Sequence, residues 1–131
     1  LRGTESVLVV DDNADLRALF AGQMRSLGYR VTEAASGDDA LALLEGGAGR
    51  FDFLLSDIMM PGKLNGVDLA KVARTRWPEL RVLLISGHSG PAAVEEEARA
   101  FPLLHKPFRK MQLAQAVRLA LASGMVAQAD D

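Results

Sequence analysis

The residues from Phe51 to Pro61, FDFLLSDIMMP, decide how this chain folds. Within them Phe53-Leu54-Leu55 is an apolar run that climbs through Ser56 to a single acid, Asp57. A run so short, bounded by turn signals, has the pattern of a strand buried on both faces. Asp57 stands where that strand ends, and Pro61-Gly62 breaks the chain soon afterwards. In an open parallel sheet the carboxyl ends of the strands form the ligand crevice, so Asp57 is expected to face a site.

Working outward, Ser6 to Val10 is a β-branched apolar strand that runs straight into Asp11-Asp12. From Asn13 the spacing turns helical, with Leu16, Leu19, Phe20, Gln23, Met24 and Leu27 on one face and Gly28 as its stop. Tyr29 to Ala34 alternates enough to suggest a strand at a sheet edge. Ser36 has the character of an N-cap, with Asp38 and Asp39 in the first turn of a helix that Gly46-Gly47 ends. Beyond the central strand and the Pro61–Gly66 loop, a third helix carries Val67, Leu69, Ala70, Val72 and Ala73, with Trp77 anchoring its end before Pro78. Arg81 to Ser86 is a fourth strand, and Leu103-Leu104-His105 a brief fifth that ends at Lys106-Pro107. Between them the apolar face is thin, so a short or mobile fourth helix is expected, with Glu95-Glu96-Glu97 as a solvated face. A last helix spans about Arg109 to Ala122, and the ends of the chain, residues 1–5 and 123–131, are expected to be frayed or a tail.

Five strands alternating with five helices give a doubly wound α/β fold with a parallel sheet. A chain this short fits the flavodoxin-like strand order 2-1-3-4-5 better than the longer dinucleotide-binding order. Its 131 residues amount to one domain, with a core over about residues 6–122, and its 49% hydrophobic content suits a globular protein. A net charge of −2 gives no polybasic field, so neither nucleic acid nor an anionic membrane is an expected partner. There is no cysteine, which excludes disulfides, thiolate metal sites and a cysteine nucleophile. No run reaches the ~18 apolar residues of a membrane span and no signal peptide is visible, which suits a cytoplasmic location. The chain opens on Leu1 and not on methionine, as a piece of a longer protein would.

The residues that close the strands are Asp11 and Asp12, Asp57, Ser86 and Lys106, and a parallel sheet brings them all to one edge. Two carboxylates about 4 Å apart repel by roughly 4 kcal/mol at an effective dielectric of ~20. A marginally stable fold keeps such a cluster only with compensation. Lys106 supplies one positive charge, and a divalent cation suited to all-oxygen ligands, Mg²⁺, is expected to supply the rest. Asp12 and Asp57 would bind it directly and Asp11 through water, with the Met59 backbone carbonyl completing the set. A carboxylate beside such cations is equipped to attack a phosphoryl group, and Asp57 is the candidate nucleophile because it alone closes the central strand. Ser86 would then donate to a phosphoryl oxygen. Taken singly these residues have plainer readings: Asp11-Asp12 as a helix cap, Ser86 as structural, Lys106 as a solvated charge. Convergence is what promotes them. His88 and His105 have no partner at ligand spacing and are assigned to surface or loop roles.

VLVVDD, LLSDIMMPG followed by NG, the strand ending in Ser86, and KPF at Lys106 to Phe108 together resemble the receiver domain of two-component response regulators. The resemblance covers about Val7 to Leu121. It implies phosphorylation of Asp57 by a sensor histidine kinase or a histidine phosphotransfer protein. It also implies Mg²⁺ on Asp11, Asp12, Asp57 and the Met59 carbonyl, Lys106 on the phosphoryl group, Ser86 as the switch hydroxyl, and a cis Lys106-Pro107 bond. The SGH and PLLHKPF wording is most similar to receivers attached to hybrid sensor kinases, or to stand-alone receivers. Three features depart from the family pattern: a Pro61–Gly66 loop one residue longer, Leu103 where an aromatic is usual, and the poor fourth helix. The last two direct the signal through the loop and helix after Ser86. Two other readings stay open at this point, a Mg²⁺-dependent aspartyl-phosphate phosphatase and a phosphorylation-independent interaction module. Against the phosphatase, Asp57-Ile58-Met59 lacks a second acid two residues on.

Overall fold

The computed structural model describes residues 5–46, 51–60, 62–87 and 91–130, with side chains described as far as residue 122. Residues 1–4, Gly47, Pro61, His88 and Asp131, for which the sequence suggested an end, a turn or a loop role, lie outside the described residues. The order of elements is β1 (Ser6–Val10), α1 (Ala14–Ser26), β2 (Arg30–Ala34), α2 (Gly37–Gly46), β3 (Phe53–Asp57), α3 (Gly66–Arg76), β4 (Arg81–Ser86), α4 (Ala92–Ala98), β5 (Leu103–His105) and α5 (Lys110–Asp130). All strand pairs are parallel, and the sheet order is β2-β1-β3-β4-β5, the doubly wound order expected from the sequence.

The period-two geometry of a strand explains how continuous apolar runs serve both faces of the sheet. Val7 and Val9 of β1, with Phe53 and Leu55 of β3 and Leu83 and Ile85 of β4, pack against Phe20 and Met24 of α1 and Leu113 and Val117 of α5. Their sequence neighbours Leu8, Val10, Leu54 and Leu84 face the other way, onto α2, α3 and α4. The edge strand β2 is correspondingly half-exposed.

Helix starts follow their caps. The Asn13 side chain accepts from the Leu16 amide at 3.0 Å, and the Ser36 hydroxyl accepts from the Asp39 amide at 3.0 Å, as its N-cap reading requires. Gly28 leaves α1 in a left-handed conformation (φ 100°) that few other residues adopt without strain. Trp77 caps the end of α3 with the Arg76 guanidinium 4.6 Å from its ring centre.

Two expectations need correcting. Leu19 is 51% exposed, because the stripe through Phe20 and Met24 already fills the space beneath α1. Helix α5 runs to Asp130, through the stretch expected to be a tail: it holds no proline, and Gly124 lowers helix preference without ending a helix.

Candidate functional site at the carboxyl edge of the sheet

The strand registers set the site. Val10 pairs with Ser56 and Asp57 pairs with Ile85, so the chain leaves β1, β3 and β4 at one level. The Lys106 amide donates to the Ser86 carbonyl at 2.9 Å, which ties the end of β5 to the same edge. Single carboxylate oxygens of Asp11, Asp12 and Asp57 thereby come within 4.8 Å of one another. Lys106 Nζ lies 3.5 Å from Asp57 Oδ1.

The three acids sit in different surroundings. Asp11 is buried; its Oδ1 accepts from the Asn13 amide at 2.9 Å, while its Oδ2 is buried without a hydrogen-bond partner. Burial pushes the Asp11 carboxyl up, and the Asn13 amide and Lys106 draw it partly back. Asp12 is exposed. Asp57 is only 9% exposed, and burial pushes its carboxyl up to about 6 against the pull of Lys106, with Asp11 and Asp12 adding to the rise. An orphaned carboxylate oxygen beside two further acids is a donor set short of positive charge. Hard divalent cations take oxygen sets of this kind, so the residues present fit Mg²⁺.

The loop from β3 to α3 holds Asp57 in place through its backbone. The Gly66 amide donates to the Ile58 carbonyl at 2.7 Å, and a Cβ on Gly66 would run into the Asp57 carbonyl oxygen. Asn65 and Asp68 form a reciprocal capping box that starts α3 directly behind this contact. Met59, two residues past Asp57, is half-buried. The Lys106-Pro107 bond is cis, in agreement with the resemblance.

Ser86 closes β4 fully buried, and its hydroxyl donates to Glu95 Oε1 of α4 at 2.8 Å. Glu95 therefore does not belong to a solvated face; Glu96 and Glu97 do, paired with Arg99 and Lys71. The sequence concealed this because three consecutive glutamates carry no mark of which one turns inward. The other residues missed are Gly66, whose signal is the NG step before a helix, and Arg17, whose guanidinium donates to the Asp11 carbonyl at 2.9 Å. Leu103 lies half-buried against the cluster beneath α3 and α4, and His105 is exposed at the end of β5.

No helix among the described residues is long and apolar enough to cross a membrane. A family model described as the response regulator receiver domain matches residues 7–118. The sensor kinase CckA of Brucella abortus is 35% identical over 121 residues, which are 90% of this chain and 13% of that protein. The nitrogen assimilation regulatory protein NtrX of Azorhizobium caulinodans is 33% identical over 88% of this chain and 26% of its own length, so the chain spans a small part of these longer relatives. The chemotaxis protein CheY of Pseudomonas aeruginosa, 36% identical, is matched over 76% of its length and 72% of this chain. Among solved structures, the Vibrio cholerae chemotaxis protein CheY4 superposes with a TM-score of 0.78 at 28% identity, over 91% of this chain and 100% of that one. With the fold, the acidic edge and the family model in agreement, the chain belongs to the response regulator receiver domains of two-component signalling.

Proposed function

We propose that Asp57 is the phosphoacceptor of this receiver domain, taking a phosphoryl group from a phosphohistidine of a sensor histidine kinase or histidine phosphotransfer protein. The observation that carries the reading is the Asp11, Asp12 and Asp57 cluster within 4.8 Å, with the Lys106 ammonium 3.5 Å from Asp57. Asp57 offers an oxygen from the end of a rigid, buried strand, so little motion separates it from an attacking position. As its oxygen forms the new P–O bond, the P–N bond to the donor imidazole breaks, and the imidazole leaves with the electron pair and takes up a proton. Lys106 would offset charge on the phosphoryl oxygens, and the Ser86 hydroxyl would turn from Glu95 to donate to one of them. Asp11, Asp12 and Asp57, with the Met59 carbonyl, would hold Mg²⁺, which when bound offsets the negative charge of the phosphoryl group and the acids alike.

Met59 stands where a phosphatase of this chemistry would need a general acid, so the reading is a signalling module and not a turnover enzyme. The domain then works in a two-component pathway in the cytoplasm, either attached to a hybrid kinase or standing alone. The test is incubation with Mg²⁺ and acetyl phosphate followed by intact-mass measurement. One added phosphoryl group on the wild type and none on Asp57→Asn is expected. No gain at all, or an undiminished gain in Asp57→Asn, would overturn the assignment.

A further inference from the structure

The bond from Ser86 to Glu95 links the phosphoryl edge to a short helix whose other attachments to the core, among the described residues, are a buried Ala98 and a half-buried Val94. Helix α4 has seven residues, starts at Pro91 with no side-chain cap, and buries only Ala98. A helix so short does not hold its shape alone; it depends on what it packs against. Its far end is well fixed: Arg74 Nη2 donates to the Ala100 carbonyl at 2.8 Å, and the Arg74 guanidinium lies 4.0 Å from the centre of the Phe101 ring. The Lys71–Glu97 pair at 3.1 Å is half-exposed and adds little. The near end, by contrast, is tied to the sheet through Glu95, whose second oxygen, Oε2, is buried without a hydrogen-bond partner.

A hydroxyl carries one proton and donates to one acceptor at a time. The Ser86 hydroxyl therefore cannot serve Glu95 and a phosphoryl oxygen on Asp57 together. We propose that Glu95 is a positioning residue: it holds the Ser86 hydroxyl in the resting protein and is let go, with the first turn of α4, when that hydroxyl turns to the phosphoryl group. The inference rests on the roles proposed above for Ser86 and Asp57. Once the bond is broken, Glu95 is left with neither oxygen partnered at a half-buried position, which favours its exit into water. Phosphorylation is thus converted into loosening of α4 about a pinned end.

Amide hydrogen exchange over residues 92–98 tests this on the full chain. In the unphosphorylated protein, Glu95→Ala and Ser86→Ala should each speed exchange there on the order of tenfold, as loss of one hydrogen bond to a carboxylate allows. The double variant should be no faster than either single one, and Glu95→Gln, which keeps an acceptor, should stay near wild type. Acetyl phosphate with Mg²⁺ should speed the same amides in the wild type and produce no further change in Glu95→Ala, which should also take up phosphoryl groups several-fold faster. Unchanged exchange in both single variants would overturn the proposal. So would a phosphorylation response in Glu95→Ala as large as in the wild type. A wild type that takes up no phosphoryl group defeats the phosphoacceptor reading instead, while the exchange of the unphosphorylated variants still decides whether Ser86 and Glu95 hold α4.

Discussion

Asp57 is ionised against its surroundings. Its carboxyl is pushed from an ordinary 3.8 up to about 6 by burial, even with the Lys106 ammonium pulling the other way. Between those two values the folded protein keeps a proton that the unfolded chain has given up. Stability therefore falls as pH rises from about 4 to about 6 and stays at the lower level above. The rise at Asp11 acts in the same direction. Asp57→Asn removes the larger of these effects without removing volume. Allowing for screening by solvent, it should stabilise the metal-free protein by about 1–2 kcal/mol at pH 7.5, or about 3–8 °C in Tm. The gain should vanish at pH 4, where the wild-type carboxyl is itself neutral. Thermal melts of both proteins in EDTA at the two pH values check this; a variant that melts lower at pH 7.5 would mean that the Asp57 charge is satisfied in the fold. Asp12 is exposed, so Asp12→Ala should give a smaller rise in the same experiment.

The connection from β3 to α3 does for the backbone what Lys106 does for charge. Gly66 lies against the Asp57 carbonyl with no room for a methyl group, and the neighbour in the way is backbone, which cannot swing aside. Gly66→Ala should therefore destabilise by roughly 1–3 kcal/mol in urea denaturation and slow phosphoryl uptake, because relief comes by moving Asp57, the proposed acceptor. Asn65→Ala, which removes the capping box one residue earlier, should cost about 1 kcal/mol and leave uptake nearly intact. If the two variants affected uptake equally, the Gly66 contact would have no special part in placing Asp57. The same loop marks the limit of reading structure from sequence. The strands were legible because Val7–Val10, Phe53–Leu55 and Val82–Ile85 are continuous apolar runs, and the start of α2 because Ser36 has the chemistry of a cap, whereas the caps at Asn13 and Asn65 emerge only from the structure. The convergence of Asp11, Asp12, Asp57 and Lys106 followed from parallel topology alone. The part of Glu95 was not legible, and the NG step marked Gly66 without showing its contact with Asp57, since both roles depend on a contact across the fold. Leu19 misled for the converse reason: helical spacing assigns a face without saying how wide the core beneath it is.

At the scale of the molecule, the sheet separates the apolar layers that hold the fold from the acidic cluster at its edge. Both apolar layers lie on its faces, whereas the three acids gather at one edge beyond the strand ends. An unfolded chain does not bring Asp11 and Asp57 together, so a cation held at that edge binds the folded state alone and raises its stability as RT ln(1 + [L]/Kd), about 2.7 kcal/mol at a hundredfold excess over Kd. Added MgCl₂ should therefore raise the Tm of the wild type in a saturable way at pH 7.5. Asp12→Ala should lose most of that rise, although an exposed side chain contributes nothing to the core. Met24→Ala is the matching control. Met24 is fully buried about three turns along α1 from the acidic edge, so its loss should lower stability by about 2–5 kcal/mol and leave the Mg²⁺-induced rise unchanged. The two variants should thus show opposite behaviour, one nearly as stable as wild type but blind to the cation, the other weakened but fully responsive. An Asp12→Ala protein that kept the whole rise would place the cation elsewhere, and a Met24→Ala protein that lost it would mean that the acidic edge does not form independently of how tightly the α1 layer is packed.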